Sequence, residues 1–226
     1  PDPTGGSVPL PVVDNGVNDT DPDPGQIAVG DVLLASYTIT ETGVPTGYAL
    51  DNVASRSVIV SSLNLNAVIG VQGSDQPGDT NGSDCHSRLG SLAWEQRTEV
   101  NPFPLQGGAT FTISPDPTGG SSPLLVVDNG PNDTDPDPGQ IAVINVLLGS
   151  YTITETGVPA GYALDNVASR SVSVSSVDLN AVIGIPGSDQ PGDTNGSDFY
   201  SRLGSLAWEQ RSEVSPFPLQ GGASFS

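Results

Sequence analysis

The chain repeats itself. Pro-Asp-Pro-Thr-Gly-Gly begins at Pro1 and again at Pro115, and Tyr-Thr-Ile-Thr-Glu-Thr-Gly-Val-Pro begins at Tyr37 and again at Tyr151, a constant offset of 114 residues. At that offset residues 1–112 align with 115–226, and 18 of the 112 pairs differ. Copies this alike share one fold, in a unit of ordinary domain size. The repeat also filters chemistry, because a residue that serves a repeated site stands in both copies. The one cysteine and the one histidine, Cys85 and His86, become Phe199 and Tyr200. They read as a strand position that tolerates varied side chains rather than as a nucleophile pair or a metal site.

The alternation of side chains predicts strands. Leu92, Trp94 and Gln96 share one face of Leu92–Gln96, and Ala109, Phe111 and Ile113 share one face of Ala109–Ile113. Tyr151–Glu155 and Arg170–Val174 alternate in the same way. The run Ile141–Leu148 is apolar enough for a helix, but its β-branched content and its flanking Pro-Gly and Gly-Ser favour strand. Glycine and proline together make 28 + 21 = 49 of 226 residues and punctuate these runs at short intervals. The fold class that follows is all-β, an antiparallel β-sandwich with one core per 114-residue repeat.

Charge narrows the partners. With 26 acidic residues against six basic ones, the net charge is -20, and the field around such a chain repels a nucleic-acid backbone or an anionic membrane surface. A lone cysteine supports neither an internal disulfide framework nor a cysteine zinc cage. No run approaches the ~20 apolar residues of a membrane span, so no membrane insertion is expected of this segment.

Glu155-Thr-Gly-Val-Pro159-Ala-Gly161-Tyr162, and the same pattern from Glu41 to Tyr48, resembles the E-x-x-x-P-x-G-Y signature of collagen-adhesin B-type (Cna-B, SpaA-like) domains. Leu89–Arg97 followed by Gln106–Thr112 is similar to that family's opening strand and glycine-led second strand. The resemblance implies a prealbumin-like, Ig-like sandwich and the stalk or pilin modules of bacterial surface proteins. It divides the chain into the later part of one repeat at 1–88, a complete repeat at 89–202, and the opening strands of a third at 203–226. In this family a lysine of the opening strand joins an asparagine near the last strand through an isopeptide bond, promoted by the signature glutamate. The glutamate positions are Glu41 and Glu155, but Gln96 and Gln210 stand where lysine belongs, and Ser87 and Ser201 where asparagine belongs. The chain contains no lysine, all six basic residues being arginine. The isopeptide bond therefore cannot form. A hydrogen bond from the Gln96 amide to Glu155 is expected instead, with an ester between glutamine and a nearby hydroxyl as the chemical alternative.

Two loop features remain. Asp19, Asp21 and Asp23, repeated as Asp133, Asp135 and Asp137, alternate as ligands of a hard cation such as calcium do, although a solvated acidic turn has the same pattern. Asn18, Asn81, Asn132 and Asn195 each open an N-x-S/T triplet, candidate acceptors for glycans. No Ser-His-Asp set survives in both copies, so no enzymatic activity is expected and no cofactor beyond the candidate calcium. The differences between copies are mainly small apolar or hydroxyl exchanges such as Thr46 to Ala160. That pattern favours a structural subunit of an extracellular or cell-surface fibre, its copies joined head to tail, over a ligand-binding adhesin module.

Overall fold

The computed structural model describes residues 1–70, 82–184 and 196–226. The described chain is all-β, with ten strands and no helix, and so no helix long and apolar enough to cross a membrane. It divides into two compact units: residues 1–91 with 144–150 and 173–181, and residues 92–143 with 151–172 and 182–226.

In the first unit β1 (Ala35–Thr40) and β2 (Ser55–Val60) form an antiparallel pair in which Tyr37 meets Val58. In the second copy β3 (Gly90–Thr98) is flanked by β10 (Phe199–Ser201) and β6 (Gln140–Val146), with β9 (Asn180–Val182) also pairing β3. A second sheet runs β5 (Leu124–Val127), β4 (Thr110–Ser114), β7 (Gly149–Gly157) and β8 (Ser169–Val174). The β4–β5 and β4–β7 pairings are antiparallel, whereas β10 lies parallel to β3, with Phe199 opposite Gln96.

The inward faces of β4 and β7 are those the alternation predicts, whereas β3 is buried on its predicted face and, from Trp94 to Thr98, on the other face as well. Leu92, Trp94 and Gln96 of β3, Phe111 and Ile113 of β4, and Tyr151, Ile153 and Glu155 of β7 are buried. The Trp94 ring meets Phe111 edge to face at 5.3 Å, and Phe111 meets Phe199 at 5.1 Å. These rings belong to β3, β4 and β10, so one aromatic cluster bridges the two sheets and makes the pair a sandwich.

The run Ile141–Leu148 resolves as strand over Ile141–Val146, with one change of phase, and Leu147 and Leu148 lie between β6 and β7. Ile141 and Val143 face inward, Ile144 and Asn145 outward, and Val146 inward again. Asn145 has φ of 59°, and this left-handed residue advances the chain by one extra position, as a bulge does. Asparagine tolerates that conformation far better than the β-branched residues around it.

Candidate functional site

The three positions that the resemblance singles out converge inside the second unit. Gln96 comes from β3, Glu155 from β7 and Ser201 from the end of β10, and all three are buried. Gln96 Nε2 donates to Ser201 Oγ at 2.8 Å. The backbone N–H of Asp165 donates to Glu155 Oε2 at 2.8 Å. Gln96 Oε1 and Glu155 Oε1 have no hydrogen-bond partner among the described residues.

Burial pushes the Glu155 carboxyl up to about 7, because a carboxylate loses its hydration there. The Asp165 carboxylate raises it further, while the Asp165 N–H, the neighbouring Gln96 amide and the Arg170 guanidinium draw it down. Gln96 thus acts on Glu155 as an adjacent dipole, although no donor reaches Glu155 Oε1 in hydrogen-bond geometry. The result is an acid that titrates near neutrality beside the Gln96 amide.

The corresponding residues elsewhere are not brought together. Glu41 is half-buried and its Oε2 accepts from the Asp51 N–H at 2.9 Å, while Ser87 and Gln210 are exposed.

Sequence reasoning missed a charged knot beside this trio. Arg170 is fully buried and pairs with Asp165, Nη2 to Oδ2 at 2.9 Å. Its other donors reach the backbone carbonyls of Ser197 at 3.1 Å and Asp198 at 3.2 Å, and the guanidinium lies 4.7 Å from the centre of the Phe199 ring. Asp165 Oδ2 also accepts from the Tyr200 N–H at 2.9 Å. The knot therefore fastens the chain leading into β10. Arg56 and Asp51 repeat it in the first unit, at 2.8 Å, with the Arg56 donors on the carbonyls of Ser83 and Asp84. The signal available in the sequence was the retention of both residues in both copies.

The acidic loops do not converge on a cation. Asp133 Oδ1 accepts from the N–H groups of Asp135 and Ala142, its Oδ2 accepts from Asn129, and Asp135 Oδ1 accepts from Asp137. Asp19 and Asp21 make the same bonds to Asn15, Asp21, Ala28 and Asp23. The oxygens are spent on the loop's own backbone, and among the described residues no three acidic, histidine or cysteine side chains cluster as metal ligands. Asn18 and Asn132 are exposed, but their amide nitrogens donate to the carbonyls of Pro11 and Leu125, both at 2.7 Å. Asn81 and Asn195 lie outside the described residues.

No family model matches the chain, and no curated protein matches it. Among solved structures it is similar to the C-terminal fragment of the pilus adhesin SpaC from Lactobacillus rhamnosus GG, at 20% identity and a TM-score of 0.38, over 78% of this chain and 80% of that one. It is also similar to a streptococcal ancillary pilin, at 16% identity and a TM-score of 0.34, over 83% of this chain and 47% of that one. The full-length major pilin SpaD from Corynebacterium diphtheriae matches at 19% identity and a TM-score of 0.32, over 42% of this chain and 31% of that one. The chain thus spans less than half the length of the two pilins. Likenesses at this level decide nothing about activity or partners.

Proposed function

We propose that this chain is a structural segment of an extracellular or cell-surface fibre in which β-sandwich repeats are joined head to tail. One observation supports the reading: several residues buried within 89–202 have exposed counterparts in 1–88 and 203–226. Leu92 and Trp94 are 0% and 1% exposed, while their counterparts Leu206 and Trp208 are 91% and 62% exposed. Ile153 is 0% exposed and its counterpart Ile39 51%. On this reading residues 203–226 carry the sequence of an opening strand without a sandwich around it, and residues 1–88, where the β1–β2 pair forms, carry the later strands without an opening strand. Each supplies what the other lacks, and unpaired strand edges drive such addition. The donor is the preceding repeat, and for the purified chain a second copy supplies it.

Electron microscopy and light scattering on the purified chain test the proposal. Beaded filaments or concentration-dependent oligomers are expected, together with their loss in Trp208→Asp. A chain that stays monomeric at high concentration, with Trp208 fluorescence remaining that of a wet indole, overturns it.

A further inference from the structure

The geometry points to a docking contact between copies of this chain: the turn at Gly161 of one copy is a socket for Leu33 and Leu34 of the copy that follows. The contact is already made once inside the chain. Pro45-Thr46-Gly47-Tyr48 is a tight turn in which the Tyr48 N–H donates to the Pro45 carbonyl at 3.1 Å and Gly47 has φ of 91°. Leu147 and Leu148, from the following repeat, lie on this turn and belong to the same compact unit as Gly47. The Leu148 N–H donates to the Gly47 carbonyl at 2.7 Å. A Cβ on Gly47 would lie 2.8 Å from Leu147 Cδ2 and 3.3 Å from Leu147 Cβ, so the leucine packs against bare backbone. Glycine is required there twice, by the positive φ and by the neighbour.

Both halves of this contact occur again, apart from each other. Pro159-Ala160-Gly161-Tyr162 makes the same turn, with the Tyr162 N–H on the Pro159 carbonyl at 3.2 Å and φ of 95° at Gly161. A Cβ on Gly161, however, would meet nothing within 4 Å. Leu33 and Leu34, the counterparts of Leu147 and Leu148, are 57% and 56% exposed. Among the described residues no backbone bond joins the Gly161 carbonyl or the Leu34 N–H to a partner, although their counterparts Gly47 and Leu148 bond to each other. An open glycine turn and an exposed leucine pair, each matching one side of a contact made elsewhere in the same chain, identify the occupant as a second copy. Because the two sides are different patches, the contact is heterologous and extends from copy to copy.

Sequence order fixes the direction. Within the chain the turn comes from the earlier repeat and the leucines from the later one. Gly161 of one copy therefore receives the leucines of the next, the same copy to which residues 203–226 are offered in the fibre reading on which this inference rests. The docking contact uses none of the residues of the donated strand, so the two can fail separately.

Disulfide trapping on the 226-residue chain tests it. In a Cys85→Ser background, which removes the one native thiol, chains carrying Gly161→Cys are mixed with chains carrying Leu33→Cys and oxidised. The corresponding internal Cβ separation of 3.3 Å is close to the about 3.5–4.5 Å that a disulfide spans. A mixed dimer should form in excess of either homodimer, and a chain carrying both cysteines should give a ladder of multimers. Gly47→Cys with Leu147→Cys is the control that closes within one chain. Independently, Leu33→Asp with Leu34→Asp, both at exposed positions, should leave circular dichroism unchanged and weaken association about tenfold or more. No mixed dimer while the control closes, Leu33→Cys homodimers in equal yield, or association unchanged in the double aspartate variant overturns the proposal. Trp208 fluorescence in the same samples reports the donated strand. A dry Trp208 without the mixed dimer removes the docking contact and keeps the fibre reading; a mixed dimer with a wet Trp208 keeps the docking contact and removes strand uptake.

Discussion

Glu155 makes stability depend on pH in a direction opposite to that of most carboxylates. Its folded-state value of about 7 lies above its ordinary 4.5, so the native state holds the proton more tightly than the unfolded chain does. The stabilisation is complete below about 4.5 and is lost as pH rises through about 7. Denaturant titrations should show the native chain losing stability between those limits relative to Glu155→Gln, whose amide does not titrate. Arg170 supplies a second prediction at this scale. Arg170→Met leaves Asp165 buried without its cation and should cost about 3–5 kcal/mol in urea unfolding, with the amide of Tyr200 losing hydrogen-exchange protection first. Its role was hard to read locally, because Arg170 shares a strand face with the half-buried Val172 and the buried Val174. Hydropathy assigns a guanidinium to solvent, and only the carbonyls of Ser197 and Asp198, arriving from 27 and 28 residues away, make an inward position tolerable.

At the scale of elements, identical turns are held differently by their surroundings. Gly25 and Gly139 occupy the same place in the two copies, with φ of 82° and 83°. A Cβ on Gly25 would meet nothing within 4 Å, whereas on Gly139 it would lie 2.8 Å from the backbone nitrogen of Gln106 and 3.0 Å from the carbonyl oxygen of Gln96. Gly139→Ala should therefore cost about 1–2 kcal/mol for the left-handed backbone and more for the clash, while Gly25→Ala incurs the first cost alone. Thermal denaturation of the two variants measures the difference. Because the Gly139 carbonyl accepts from the Gln96 N–H at 2.8 Å, the clash also falls on the strand that carries the buried trio.

For the whole molecule, the question is what completes the exposed strands. If a neighbouring repeat covers residues 203–226, the amides of 206–211 should exchange rapidly in dispersed chains and become as protected as those of 92–97 on assembly. Equal, rapid exchange in both states would mean that the opening strand is not taken up. The acidic surface adds a salt dependence: at a net charge of -20, copies repel one another, so raising ionic strength should speed association.

Two stretches of nearly identical sequence separate what the chain determines locally from what the tertiary structure decides. In Asp14–Ala28 and Asp128–Ala142 the turns come out alike in both copies. Asn15 and Asn129 each donate from the backbone to an aspartate four residues on at 2.9 Å, and Asn18 and Asn132 adopt φ of 64° and 66°. Those bonds close within about a dozen residues, so the sequence carries both partners wherever it lies. Leu92–Arg97 and Leu206–Arg211 are also identical, yet the first is the centre of β3 and the second is no extended strand. Likewise Leu124–Val127 is β5, paired to β4, while the matching residues 10–13 form no strand. A ladder needs a partner that the segment does not contain, and β3 finds β10 about a hundred residues away. Period-two alternation thus told which face would be buried, and the repeat told that both copies share one plan. The approach of Ser201 to Gln96 exists only where distant strands close the sandwich.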